Sequence, residues 1–183
     1  MKTKIINIFG GPGSGKSIFC MELLSNMKKL NTDKPFTVEY VSEAAKNYVW
    51  TNSKIMNGSE KNQTILLGEQ LHKLEILNNN IDFIITDSPL FLNALYNKEC
   101  TYEYEQMIAR ITNTYNNINY LLIRNLDVPY ESAGRLQTLE QAIQIDKKLK
   151  NLLDRHKINY TKIHYDPITI AKQIIAQYKG EIS

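Results

Sequence analysis

The chain has 183 residues, 43% of them hydrophobic and 22% charged, a balance that buries a core and excludes a disordered chain. Its net charge of +3 admits an anionic ligand but falls short of the footprint of a dedicated nucleic-acid binder, and the length excludes a helicase or a full AAA+ motor. Two cysteines, Cys20 and Cys100, exclude a disulfide framework and a cysteine-built metal cluster; with no apolar run long enough to span a membrane and no signal-peptide stretch, a cytoplasmic setting without a membrane partner is expected.

In chain order, Lys4 to Phe9 (KIINIF) reads as a buried strand, and Ser17 to Leu30 as a helix after a glycine-rich turn. Phe36 to Val41 reads as a second strand. Asn62 to Asn78 reads as a helix, with Ile65, Leu66, Leu71, Leu74 and Leu77 near helical spacing. Asp82 to Thr86 (DFIIT) is the third strand, and Ser88-Pro89 after it is a signal for capping and starting a short helix. Tyr102 to Thr114 is helical and Tyr120 to Arg124 is the fourth strand. Thr138-Leu-Glu-Gln141 is a capping-box pattern opening a helix to about Arg155. Tyr160 to His164 is the fifth strand, and Asp166-Pro167 caps a terminal helix.

Alternating strands and helices, with no repeat or linker, predict a single α/β domain over residues 1–183. Its core is a five-stranded parallel sheet with helices on both faces. Ligands of such sheets sit beyond the carboxyl ends of the strands.

The most specific signal is Gly10-Gly11-Pro12-Gly13-Ser14-Gly15-Lys16-Ser17, a complete G-x-x-x-x-G-K-S between an apolar strand and an amphipathic helix. Glycines let successive N–H groups form an anion nest, and the helix dipole adds positive potential. Gly11, Pro12, Gly13, Ser14, Gly15, Lys16, Ser17 and Ile18 are therefore the candidate contacts to a nucleoside triphosphate. Lys16 is placed to reach the outer phosphates and the Ser17 hydroxyl to ligate Mg²⁺.

The guanine-selecting Asn-Lys-x-Asp string is absent, its nearest counterpart being Asn97-Lys98-Glu99-Cys100. The strand ending Ile84-Ile85-Thr86-Asp87 lacks the second acid of a motor ATPase, which points to a small kinase. Asp87 is the second candidate metal residue with Ser17, or a contact to the acceptor hydroxyl; a helix cap is its structural alternative. Glu43, just past the second strand, is placed to orient an acceptor hydroxyl or take its proton, or else to serve a helix dipole. Arg124 ends the fourth strand, where it can reach the phosphates or pair with a carboxylate. Tyr48, Trp50 and Tyr96 are candidates for stacking a ring, or core aromatics. Arg110, Arg155 and the run Lys147, Lys148, Lys150 read as solvated helix faces, and the three histidines as non-ligands.

The segments GGPGSGKS, VEYVSEAAKNYVW and DFIITDSPLFLNALY, together with Arg135, resemble small P-loop kinases often described as AAA-family ATPases of bacteriophages. That group is similar to ribosylnicotinamide-kinase domains, more distantly to deoxynucleoside and thymidylate kinases, and to phage kinases acting on hydroxymethyluracil in DNA. The resemblance implies ATP and Mg²⁺ as cofactors and an acidic residue at Glu43. It also implies a lid near residues 126–137, in which Arg135 neutralises charge during transfer. Where these relatives carry Asp-Arg, this chain has Asp87-Ser88, so a cation must come from Arg124 or Arg135. The expected activity is transfer of the ATP γ-phosphate to a hydroxyl of a nucleoside- or nucleotide-type acceptor, a hydroxymethylated pyrimidine in DNA included, with a homodimer compatible with the class. The alternatives are an ATP-binding regulatory module or an ATPase without a small-molecule acceptor.

Overall fold

The computed structural model describes residues 2–32, 34–45, 48, 57–130 and 137–181. Eleven elements follow one another among them: β1 (Lys4–Phe9), α1 (Lys16–Lys29), β2 (Val38–Val41), α2 (Glu60–Leu77), β3 (Phe83–Thr86), α3 (Leu92–Tyr96), α4 (Tyr102–Thr112), β4 (Asn116–Leu122), α5 (Leu139–Arg155), β5 (Thr161–Ile163) and α6 (Pro167–Glu181). The five strands form one sheet in the order β2-β3-β1-β4-β5, every pairing parallel. This is the expected sheet, with β1 at its centre between β3 and β4. The strand order reverses beside β1, and that is where open α/β sheets form their ligand crevice.

Alternation along the strands sorts the core into two layers. Ile6 and Ile8 of β1 and Phe83 and Ile85 of β3 pack with Phe19, Cys20, Leu23 and Met27 of α1 and Ile170, Ile174 and Ile175 of α6. Ile5, Phe9, Ile84 and Leu121 point to the opposite face, onto α2, α3, α4 and α5 through Leu67, Leu92, Ile108 and Leu149. Every residue of β1 is buried, as a central parallel strand requires.

Local signals set most boundaries. Ser59, Thr101 and Thr138 accept N–H bonds at the starts of α2, α4 and α5, and Thr138 with Gln141 completes the capping box. Ser88, by contrast, caps no helix: its N–H turns back to Thr86 Oγ1 at 3.1 Å, and α3 begins only at Leu92, whose N–H reaches the Pro89 carbonyl at 2.9 Å.

β4 also begins earlier than its apolar run. Asn7 in β1 donates through Nδ2 to Asn117 Oδ1 and Asn119 Oδ1, both at 2.9 Å, so the asparagines are paired inside the sheet. Arg155 is not simply solvated. It donates to Glu105 Oε1 at 2.5 Å while His156 Nε2 lies 2.7 Å from Oε2, which ties α5 to α4. Among the described residues no helix is long and apolar enough to cross a membrane.

Candidate active site

The loop between β1 and α1 opens at the carboxyl edge of the sheet. Gly13 and Gly15 take φ values of 69° and 89°, left-handed conformations that only glycine adopts without strain, and Gly15 is the residue before the first turn of α1. Among the described residues no side chain caps α1 and no acid sits in its first turn, whereas α2, α4 and α5 each have a hydroxyl cap. The leading N–H groups of α1 are thus left for a ligand, and the dipole makes that ligand an anion.

Lys16 sits in this first turn and donates to the Gly11 carbonyl at 2.9 Å. Desolvation pushes its pKa down, against the carboxylates of Glu43, Asp87 and Asp146, which pull it up. Ser17 donates to Asp87 Oδ2, joining the start of α1 to the end of β3. The structure therefore brings Lys16, Ser17, Glu43 and Asp87 to one place, as the end-of-strand rule requires. Asp87 is 4% exposed.

Glu43 belongs to a segment anchored from below. The Ala44 N–H donates to Gln70 Oε1 at 3.0 Å, and Gln70 Nε2 reaches Thr86 Oγ1 at 3.4 Å. Gln70 is 1% exposed, so this bridge holds the Glu43 segment against the end of β3 from inside the protein. It escapes sequence reasoning, because a glutamine in a leucine-rich helix gives no signal of its partner.

Arg124 and Asp146 form a second brace. Arg124 donates through Nε to Asp146 Oδ2 at 2.7 Å and through Nη2 to the Pro12 carbonyl at 2.8 Å. The other Asp146 oxygen accepts the Gly11 N–H at 2.7 Å. A Cβ on Gly11 would stand 2.2 Å from that oxygen, so this approach requires glycine. Arg124, its side chain 7% exposed, grips the loop from the β4 side. Asp146 was not among the expected site residues; it lies beside Lys147 and Lys148 in what reads as a solvated helix face.

Tyr96 lines the same cleft: burial first, then Glu43 and Asp146, raise its pKa. Tyr48 donates to Glu69. Ile18 is 56% exposed at the mouth of the loop. Arg135 and Trp50 lie outside the described residues, as does half of the expected lid, residues 131–136. Its edges are described: Leu126 and Val128 are exposed, and the Tyr130 hydroxyl donates to the Gln137 carbonyl at 3.0 Å.

Among the described residues two buried polar atoms of this site have no hydrogen-bond partner, Ser14 Oγ inside the loop and Asp87 Oδ1. A hydroxyl in an N–H nest suits a phosphate oxygen, and a bare carboxylate oxygen beside a serine hydroxyl suits a hard divalent cation or its water. Among the described residues no cluster of three His, Cys, Asp or Glu could hold a metal unaided. The donor set thus fits a cation that arrives with phosphate oxygens.

The model of the AAA_28 family, described as an AAA domain, matches residues 5–168. No curated protein matches the chain. Among solved structures it is similar to the NadR protein in complex with NR, with a TM-score of 0.68 and 12% identity over 97% of this chain. The match takes in 52% of that protein's chain, so this one spans about half of it. At that identity the likeness is one of fold.

Proposed function

The chain belongs to the AAA_28 family of AAA domains, and from that premise we propose that it is a cytoplasmic, Mg²⁺-dependent kinase working as one domain. It transfers the γ-phosphate of ATP to a hydroxyl of a nucleoside- or nucleotide-type acceptor, among which a hydroxymethylated pyrimidine in DNA is one form. The observation that carries the proposal is the Ser17–Asp87 pair with its bare carboxylate oxygen, set beside a desolvated Lys16 that faces Glu43.

In this reading the loop N–H groups and Lys16 hold the phosphates, and Ser17 and Asp87 hold the cation. When bound, Mg²⁺ supplies charge neutralisation across the phosphate oxygens. Glu43 orients the acceptor hydroxyl and takes its proton. Tyr96, beside Glu43, borders the acceptor. Arg135 supplies positive charge to the phosphoryl group in transfer. Arg124 is bonded to Asp146 and Pro12, which supports a role in shaping the loop alongside any contact to phosphate.

The test is transfer of labelled γ-phosphate from ATP, with Mg²⁺, to a panel of acceptors: nucleosides, nucleoside monophosphates, nicotinamide riboside, 5′-hydroxyl oligonucleotides and duplex DNA containing hydroxymethyluracil. A labelled product that disappears in Lys16→Ala and Asp87→Ala establishes the kinase and its acceptor class. Tight ATP binding without any labelled product overturns the proposal in favour of a regulatory nucleotide-binding module.

A further inference from the structure

Strand β2 brings a third hydroxyl to the Ser17–Asp87 pair. Its parallel register sets Tyr40 opposite Ile85 and Val41 opposite Thr86. The pleat therefore places Tyr40 and Asp87 on the same face of the sheet, two residues apart in register, and α1 covers that face. Tyr40 packs half-buried against this layer, with its hydroxyl within hydrogen-bonding reach of both Asp87 and Ser17. A phenol hydroxyl in that position is a hydrogen-bond donor to the carboxylate.

Asp87 needs such a donor. One of its oxygens accepts from the Ser17 hydroxyl, the other has no partner among the described residues, and the residue is 4% exposed. A hydrogen bond from a group that is not itself a cation ligand fixes the orientation of such a carboxylate.

We infer that Tyr40 is a positioning residue for the cation site: its phenol O–H holds the Asp87 carboxylate against Ser17, so that the bare oxygen stays turned toward the metal carried by the nucleoside triphosphate. The inference rests on the nucleotide reading above and adds a residue that no motif predicts.

The test is equilibrium binding of a fluorescent ATP analogue to the wild type, Tyr40→Phe and Tyr120→Phe, each in EDTA and across a Mg²⁺ series. Tyr120 is a buried phenol of β4 in the same core layer, and its substitution controls for loss of a hydroxyl. Tyr40→Phe is expected to bind the metal-free nucleotide as the wild type does, while its Mg²⁺ midpoint rises about tenfold. Tyr120→Phe should change neither quantity. A Tyr40→Phe midpoint within about twofold of wild type overturns the inference, against the loss expected when a ligand-orienting group is removed. So does an equal loss of metal-free binding, since that reports disturbed packing. A wild type that binds the analogue neither with nor without Mg²⁺ overturns the nucleotide reading and this inference with it.

Discussion

The Asp146 carboxylate accepts the backbone N–H of Gly11 at 2.7 Å, across 135 positions of sequence. That one bond couples the middle of α5 to the phosphate loop, and Arg124 completes it by gripping the same carboxylate and the next carbonyl. Asp146→Ala removes both contacts and strands a guanidinium whose side chain is 7% exposed. The expected cost is about 2 kcal/mol of stability with about tenfold weaker nucleotide binding. A thermal melt and a fluorescent-nucleotide titration check the two, and an unchanged nucleotide affinity would show that the brace does not shape the loop.

Lys16 gives a pH signature. Burial sets its folded pKa below the ordinary value of 10.5, against the pull of Glu43 and Asp87. The folded state therefore holds this proton less tightly than the unfolded chain. The resulting stability penalty is fully present below the folded pKa and lifts as pH climbs through it toward 10.5. Nucleotide affinity runs the other way, because only the ammonium attracts phosphate. ATP affinity of the wild type is expected to fall on the alkaline side before an ordinary lysine titrates near about 10.4, while Lys16→Met binds weakly and without that slope. Parallel profiles for the two proteins would refute the assignment.

The asparagine ladder makes a prediction about folding alone. Asn7→Leu removes the donor shared by Asn117 and Asn119 in the sheet interior. Chemical denaturation should show a loss of about 2 kcal/mol, with turnover of the folded fraction unchanged. A neutral result would mean that water replaces the amide.

Glu105 predicts a similar separation where α4 meets α5. Its carboxylate serves both Arg155 and His156, and the imidazole side chain is 3% exposed. Glu105→Ala should lower stability by roughly 2 to 4 kcal/mol while leaving the nucleotide affinity of folded protein intact. Loss of affinity with full stability would place this cluster in the site rather than in the scaffold.

What the sequence revealed, and what it hid, follows from how local each signal is. β1, α1 and the start of α5 were legible because hydrophobic period, glycine placement and the Thr138–Gln141 box act within a few residues. Lys16, Ser17 and Asp87 converge because their motifs sit at strand ends, where this topology must gather them. The first residues of β4 were hidden, since Asn117 and Asn119 carry no apolar signal and their partner is Asn7 of β1. Asp146, Gln70 and Tyr40 were hidden for the same reason. Each is an ordinary residue of its own helix or strand, and its meaning lies in a group far along the chain. The Ser88-Pro89 signal misled because the Ser88 N–H finds the Thr86 hydroxyl two residues back.

The backbone of Gly11 is engaged on both sides: Asp146 accepts its N–H and Lys16 donates to its carbonyl. These two bonds make the loop a closed circuit, with a carboxylate seated beside the anion nest and the ammonium occupied by a neutral oxygen. An arriving ligand must draw Lys16 away from that carbonyl, and a formally neutral or singly charged molecule has little with which to do so. A polyphosphate has enough. Selection for highly charged ligands then arises from the exchange of partners itself, before any contact reads a base or a sugar.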